Sequence, residues 1–207
     1  PDLRISISTQ ANNTNWRSVA FWHAQGAKRI VLARELGLSE IQEIREKVAP
    51  EMEIEIFVHG AMCISYSGRC LLSHYMTGRN SNQGDCAHPC RWKYHLIEET
   101  RPDEAFSIEE DASGSFIFNS KDLCLIDEIP ALMAAGVDSF KIEGRMKSLY
   151  YVATGVSAYR SAIDYSYDHP GVTQLDAGYY DELTKVSHRN YTKGFYNGKT
   201  TAADQNY

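Results

Sequence analysis

Apolar residues in the first third of the chain alternate between short strand-like runs and segments with helical spacing. The strand-like runs are residues 3–8, 29–33 and 54–58. Residues 15–25 carry apolar side chains at helical spacing, and residues 39–48 begin with Ser39, a residue type that favours a helix N-cap. Strands that alternate with helices at this spacing predict parallel β–α units.

This rhythm stops at residue 59 and returns only after residue 115. Residues 59–93 are predicted to form a polar loop that contains most of the cysteines. Residues 94–115 are predicted to be an excursion, with a strand at 94–98 and a hairpin-like, turn-rich segment from 101 to 115.

The β–α pattern then resumes and ends in a less regular tail. The predicted elements are strands at 116–118 and 139–142 and helices at about 125–135 and 148–165. After Pro170 the chain is rich in glycine, tyrosine and asparagine. We therefore expect one domain over residues 1–168 and an irregular C-terminal extension over residues 169–207.

The number of predicted strands argues against a complete barrel. Five β–α-like strands are too few for an eight-stranded barrel, which takes about 250 residues. Because the chain begins at Pro1 and almost at once enters a strand, we expect a fragment that lacks the opening strands. The predicted class is α/β, a partial (β/α) TIM-like barrel of mostly parallel strands with a long cysteine-containing loop insertion. A small open α/β sheet is the alternative.

In either fold, ligands gather at the carboxyl ends of the parallel strands. Residues 9–12, 59–63 and 143–145 each follow a predicted strand directly. The cysteine loop is therefore expected to lie beside a substrate site rather than to serve as a remote structural clasp.

Four cysteines within loop 59–93 are the strongest chemical signal in the chain. They are Cys63, Cys70, Cys86 and Cys90. We expect no secretory signal, and such a group then favours a thiolate-bound metal or iron–sulfur centre over disulfides or ordinary packed cysteines. Zinc sites usually use Cys-x2–4-Cys pairs, and only Cys86 and Cys90 have that spacing. An iron–sulfur cluster is favoured, and zinc is the alternative cofactor.

The fifth cysteine, Cys124, stands apart from this group. The apolar spacing of residues 120–126 is typical of a helix start, and Cys124 is predicted to be a packed thiol. Its replacement of Cys90 as the fourth ligand is the alternative.

Composition and charge limit the classes of function. The chain has 207 residues, of which 43% are hydrophobic and 23% charged, as in ordinary globular proteins. No apolar run approaches the roughly 20 residues of a membrane span, so we expect no membrane association and a cytoplasmic location. The net charge of −6 argues against a uniformly basic nucleic-acid-binding face, but it leaves room for local basic patches. Two such patches are Lys141, Arg145 and Lys147, and Lys185, His188, Arg189 and Lys193.

The candidate catalytic residues are polar residues in the segments that directly follow predicted strands. They are His59, Glu143 and Arg145. His59 is expected to orient a loop or substrate by hydrogen bonding. Arg145 is a candidate clamp for a carboxylate or phosphate, as are Arg69 and Arg79, and an ion pair of Arg145 with Glu143 or a nearby acid is the alternative.

A hydrolytic mechanism has weaker support in the residues. The chain contains neither a Gly-x-Ser-x-Gly elbow nor a His-Glu-x-x-His helix. His59 paired with Ser67 or with Cys63 is a conceivable dyad, but this spacing is no signature of a peptidase.

Five blocks of the chain resemble the peptidase/collagenase-like family U32. The blocks are residues 55–73, 82–92, 119–123, 141–148 and 187–195. They are most similar to the branch of this family that hydroxylates tRNA. Other members act on ribosomal RNA or on a quinone precursor.

The resemblance implies an iron–sulfur enzyme that hydroxylates the tRNA wobble uridine without dioxygen. It implies a [4Fe-4S] cluster on the four loop cysteines and prephenate, a small carboxylate co-substrate, as the oxygen donor. The expected partner is tRNA, with a homo- or hetero-oligomer as a further expectation. A U32-type peptidase, as the family name states, and a non-catalytic zinc-binding protein are the alternatives.

Overall fold

The computed structural model of the protein describes residues 3–63, 65–92, 95–107 and 121–198. Its strands are β1 (Ser6–Ile7), β2 (Arg29–Val31), β3 (Glu53–Ala61), β4 (His95–Glu98), β5 (Arg101–Ser107), β6 (Asp122–Cys124), β7 (Ser139–Ile142) and β8 (Tyr191–Thr192). Its α-helices are α1 (Trp16–Ala24), α2 (Leu38–Lys47), α3 (Leu72–Thr77), α4 (Ile129–Ala134), α5 (Leu149–Asp168) and α6 (Gly178–Thr184).

The main sheet is mostly parallel, which confirms the α/β class. Strand β3 pairs in parallel with β2 and β7, and β2 pairs in parallel with β1. Strand β6 pairs with β3 in the antiparallel sense, and β8 lies parallel to β6. Within the described residues the main sheet has the order β1-β2-β3-β6-β8, with β7 paired to β3 off this path, and it does not close into a barrel. Strands β4 and β5 form a separate two-stranded sheet.

Strand β3 is the centre of the sheet, and its burial explains its sequence. Residues 54–60 are buried throughout, as expected for a strand that neighbours cover on both faces. Ile30, Ile54 and Val58 pack with Ile44 of α2 and Leu132 of α4 in one hydrophobic core. Further core residues come from α1, α5, α6 and β6, and from the segments between these elements.

Several predicted elements are confirmed, with small shifts at their ends. Helix α5 begins after Ser148, whose hydroxyl accepts a hydrogen bond from the Tyr151 amide at 3.2 Å. Helix α2 begins at Leu38, before the predicted cap Ser39, because the Glu40 carboxylate accepts the Gly37 amide at 2.8 Å. Strand β4 confirms the predicted strand at 94–98. The predicted hairpin-like segment 101–115 begins instead with strand β5, which pairs with β4, and residues 108–115 lie outside the described residues.

The segment around Cys124 corrects the sequence prediction. The expected strand at 116–118 lies outside the described residues. Residues 122–124 form β6, and α4 begins only at Ile129, so Cys124 lies in a strand and not at a helix start. A short apolar run fits either element, and the antiparallel contact with β3 decides this case.

The segment after residue 168 is also more regular than predicted. It contains α6, and its strand β8 joins the main sheet through β6. Leu183 and Val186 of this segment are buried, which ties it to the body of the protein. In the part of the chain that the structure describes, no helix is both long and apolar enough to cross a membrane.

Gly60, near the end of β3, packs closely against Glu143, which follows β7. Replacing Gly60 tests this close packing. Its φ is +97°, and a Cβ at this position would overlap the carbonyl oxygen of Glu143. We expect Gly60→Ala to lower the free energy of unfolding by about 1–2 kcal/mol through backbone strain and by about 1–3 kcal/mol more through the overlap. Urea denaturation measures this loss.

Gly26→Ala is the matched control for this change. Gly26 has a similar φ of +90°, but a Cβ added there would have no atom within 4 Å, so only the strain contributes. Equal losses for the two variants would contradict the close packing of Gly60 against Glu143.

Candidate functional site

The cysteine loop lies at the carboxyl ends of the parallel strands, as the sequence predicts. Thr9 and Gln10 follow β1, Arg34 follows β2, and Glu143 follows β7. These residues line one cavity of about 110 Å³. The same cavity is lined by all four loop cysteines, Cys63, Cys70, Cys86 and Cys90. We call this space the cysteine cavity.

Local hydrogen bonds hold the loop around this cavity. The Cys70 amide donates to the Asn82 side chain at 3.0 Å, and the Ser81 hydroxyl donates to the Cys70 carbonyl at 3.0 Å. The His88 amide donates to the Cys86 sulfur at 3.3 Å. Gly68, with a φ of +74°, lets the loop approach the Gln10 carbonyl so closely that a Cβ would overlap it.

The four thiols affect one another electrostatically. Burial raises the pKa of Cys90 to about 11, and the nearby Arg91 opposes this rise only in part. Negative charge on Cys63, Cys86 or Cys70, which line the same cavity, raises the pKa further. The thiol is therefore protonated at neutral pH in the free site, and any metal that binds must displace the proton.

Cys63 has a similar environment around its sulfur. The residue as a whole is exposed, but protein atoms crowd its thiol, and this desolvation raises its pKa while Arg34 acts against the rise. Within the described ranges, no three His, Cys, Asp or Glu residues are arranged to hold a single metal ion. The four thiols surround a shared space rather than one point.

Arg34 is a residue of this site that the sequence prediction missed. Its Nη1 lies 3.4 Å from the Cys63 sulfur, and its guanidinium carbon lies 3.6 Å from the centre of the Phe57 ring. Its Nε is buried and has no hydrogen-bond partner among the described residues. The only signal in the sequence was an arginine directly after a predicted strand.

Arg145 and Glu143 both line the cysteine cavity. Arg145 Nη2 lies 3.0 Å from an Asp85 oxygen, and Arg79 Nη2 lies 2.8 Å from the same oxygen. The Arg145 amide donates to the Glu143 carboxylate at 3.0 Å. Of the two interpretations of Arg145, the structure shows the ion pair with a nearby acid, which is Asp85. Arg69 is exposed and is not among the residues that line the cavity.

His59 is not brought to the cysteine cavity. Strand β3 continues to Ala61, so His59 lies inside the strand and not in the loop that follows it. It is only 1% exposed, and its ring lies 5.4–5.5 Å from the rings of Tyr151, Tyr159 and Tyr191. Burial lowers its pKa to about 4, so it is neutral at physiological pH.

The conceivable peptidase dyads are not formed. The Ser67 hydroxyl donates to the Glu35 carboxylate at 3.1 Å, and the Cys63 sulfur accepts from Arg34. The Tyr159 hydroxyl lies 3.5 Å from His59 Nδ1, and in the described part of the chain His59 Nε2 has no hydrogen-bond partner. Neither nucleophile is therefore paired with this histidine.

Asp122 is a second residue that the sequence prediction missed. It is fully buried, and its oxygens lie 2.5 Å from Arg91 Nη1 and 3.4 Å from Lys147 Nζ. It also accepts the Arg189 amide at 3.3 Å. Burial acts to raise the pKa of Asp122, but Arg91 and Lys147 together hold it below its usual value. Asp122 of β6 is thus bonded to the cysteine loop through Arg91, to the segment after β7 through Lys147 and to the C-terminal segment through Arg189.

Comparisons with known proteins agree on one family. The model of peptidase family U32 matches residues 1–206. The chain is 45% identical to "tRNA hydroxylation protein P1" of Bacillus subtilis, with 96% of the chain and 46% of that protein covered. It is 42% identical to "tRNA hydroxylation protein P" of Escherichia coli, with 100% of the chain and 53% of that protein covered.

A relative that modifies a different RNA is also similar. The "23S rRNA 5-hydroxycytidine C2501 synthase" of Escherichia coli is 35% identical, with 96% of the chain and 30% of that protein covered. The chain thus spans about half the length of the tRNA hydroxylation proteins that it matches. No solved structure is significantly similar to the chain.

Proposed function

Because the chain belongs to peptidase family U32, we propose that it is part of an iron–sulfur-dependent, oxygen-independent RNA hydroxylase whose substrate is the tRNA wobble uridine. The observation that carries this proposal is the cysteine cavity. Its four cysteines come from one loop, residues 59–93, and they line one space together with Thr9, Gln10 and Glu143, which are distant in sequence and lie at the carboxyl ends of the parallel strands. The names of the similar proteins support RNA as the substrate class.

The residues present fit a [4Fe-4S] cluster. Such clusters are held by four cysteine thiolates, and Cys63, Cys70, Cys86 and Cys90 would be these ligands. A single zinc ion requires four ligands at about 2.0–2.3 Å from one point, whereas a cluster of several atoms keeps its thiolates further apart. Sulfurs that surround a cavity suit the larger group. When bound, the cluster would supply redox or Lewis-acid chemistry beside the substrate.

Two arginines of the cysteine cavity would stabilise the thiolates and bind a carboxylate co-substrate. Arg34 lies beside the Cys63 sulfur, where its charge favours the deprotonated form that binds metal. Arg34 and Arg145 both line the cysteine cavity and are suited to a small carboxylate such as prephenate. Arg145 would first have to exchange its contact with Asp85 for the co-substrate.

We also propose that the sheet is part of a TIM-like barrel in a longer protein. The parallel order of β1, β2, β3 and β7, with helices α1 and α2 between the first three strands, supports this fold. Leu3 and Ile5 are 79% and 52% exposed near β1, at the end of the strand path, where a further strand would cover them. The domain division at residue 168, the cytoplasmic location and an oligomeric state stay predictions.

The test uses the full-length protein. Purified without oxygen, it is expected to be brown and to contain iron and sulfide, and its gene is expected to restore hydroxylated wobble uridine in a deletion strain, as measured by mass spectrometry of tRNA nucleosides. A colourless protein that contains zinc, or a strain whose tRNA stays unmodified, would contradict the proposal. Digestion of gelatin by a variant without the four cysteines would favour the peptidase alternative.

A further inference from the structure

The cysteine cavity leaves too little room for an RNA substrate. Its volume is about 110 Å³, less than half of the roughly 260 Å³ of the cavity beside it, and its lining includes all four loop cysteines. If the thiols hold a cluster there, as proposed above, a nucleotide must approach from a neighbouring space. Such a space exists on one side of the cysteine loop.

A second cavity of about 260 Å³ shares part of its lining with the cysteine cavity. The residues that line both are Ala61, His88, Arg91 and Glu143. The second cavity is additionally lined by Ala87, Trp92, Met146, Lys147 and Arg189. A ligand in this space would therefore lie directly beside the cysteine cavity.

The second cavity combines positive charge with exposed apolar surface. Among the residues that the structure describes, three cations, Arg91, Lys147 and Arg189, line it with one carboxylate, that of Glu143. The buried Asp122 forms ion pairs with Arg91 and Lys147 and so offsets part of this positive charge. Trp92 is 46% exposed and Met146 is 55% exposed. Single-stranded nucleic acids are bound by this combination, in which cations contact phosphates and an aromatic ring stacks on a base.

The backbone at the shared wall is held in an unusual conformation. His88 lies between Cys86 and Cys90 and has a φ of +57°, in the left-handed region that is unfavourable for a residue with a Cβ. Asn12, which also follows a strand at this edge of the sheet, has a φ of +53°. Backbone strain of this kind is common at binding sites, where it directs a side chain toward a ligand.

We propose that the second cavity is the nucleotide subsite, in which a uridine from a single-stranded RNA loop stacks on Trp92 beside the cysteine cavity. Lys147 and Arg189 contact the flanking phosphates, and Ala61, His88 and Glu143 form the wall toward which the base points. Loop bases are already unstacked or are easily splayed out, so they can enter such a pocket. This inference rests on the proposed function, since it locates the substrate of the same site.

The binding test uses full-length, cluster-loaded protein and a fluorescein-labelled anticodon stem–loop RNA with a wobble uridine. Trp92→Ala is expected to raise the dissociation constant about tenfold through loss of stacking, while Trp92→Phe keeps most of the affinity. Lys147→Gln is expected to reduce the salt slope of binding by about one. Fluorescence anisotropy measures both effects.

Matched controls come from the exposed face of α5. Tyr167 is 76% exposed, and Arg160 forms an exposed pair with Asp164. Tyr167→Ala and Arg160→Gln are expected to bind the RNA as the wild type does. Visible absorbance of each variant checks that the cluster site is intact, and wild-type affinity in Trp92→Ala would overturn the inference.

A second measurement needs no variant. A stem–loop with 4-thiouridine at the wobble position is cross-linked by light to the wild-type protein, and mass spectrometry locates the adduct. An adduct on Trp92, Met146 or His88 supports the subsite, and adducts only outside the second cavity overturn it. If Trp92→Ala weakens prephenate binding but not RNA binding, the cavity holds the co-substrate and the inference is wrong.

The outcomes separate this inference from the proposed function. RNA that binds at Trp92 but is never hydroxylated would leave the subsite in place and contradict the hydroxylase. Hydroxylation that proceeds while Trp92→Ala binds RNA normally would contradict the subsite alone.

Discussion

Cys63→Ala in the full-length protein is expected to abolish both the visible absorbance and the hydroxylation of the wobble uridine. Cys63 lines the cysteine cavity with the other three loop cysteines, and a cluster that loses one thiolate ligand is no longer held. Absorbance of the purified variant and mass spectrometry of tRNA nucleosides from a complemented deletion strain measure the two losses. Normal hydroxylation by this variant would contradict the cluster.

Two further variants sharpen this result. Arg145→Ala is expected to lose hydroxylation but to keep the absorbance, because Arg145 lines the cavity without being a thiolate ligand. Cys124→Ala is the matched control, since Cys124 is buried on β6 with its sulfur 3.9 Å from the Tyr159 hydroxyl and does not line the cavity. If Cys124→Ala lost the absorbance and Cys90→Ala kept it, Cys124 would be the fourth ligand.

Asp122→Asn is expected to lower the free energy of unfolding by about 3–5 kcal/mol at pH 7, as is typical when one partner of a buried ion pair is removed. Asp122 is fully buried, and its loss of charge leaves Arg91 without its counter-ion in a largely buried position. Urea denaturation of the wild type and the variant measures the difference. Asp164→Asn, in an exposed pair with Arg160, is the control and is expected to cost less than about 1 kcal/mol.

The pH dependence of the free energy of unfolding provides a second test of the role of Asp122. The pKa of Asp122 is lower in the folded protein than its usual value, so the folded state favours the charged form. The resulting stability is fully present above the unfolded pKa of about 4 and is lost as the pH falls through the folded pKa. The stability difference between wild type and Asp122→Asn should therefore shrink below about pH 4. A constant difference would contradict the role of this charge.

Local patterns in the sequence were sufficient for most of the regular elements. Strands β2, β3 and β7 and helices α1, α2 and α5 lie close to their predicted positions, because alternating and helical apolar spacing reflects which faces of these segments are buried. Strand β6 was missed for the opposite reason. Three buried residues carry no clear period, and only the pairing with β3 makes them a strand.

In the candidate site, too, some features were predictable from local sequence patterns and others depend on contacts between distant segments. The strand-end segments and the four cysteines were predicted to meet, because the carboxyl ends of parallel strands share one edge of the sheet. The continuation of β3 to Ala61 was not predicted, and it places His59 among tyrosines instead of in the cysteine cavity. Arg34 and Asp122 lack a local signature, since their roles depend on partners far away in the sequence.

The α/β class, the positions of the main strands and helices, and the loop that carries four cysteines follow from local apolar periodicity and from residue chemistry. Both of these can be seen directly along the chain. Which side chains share a cavity, which ion pairs are buried and which residues form the wall between the two cavities became known only from the folded arrangement. Those relations depend on distances between segments such as residues 34 and 63, or 91 and 122, and packing sets these distances.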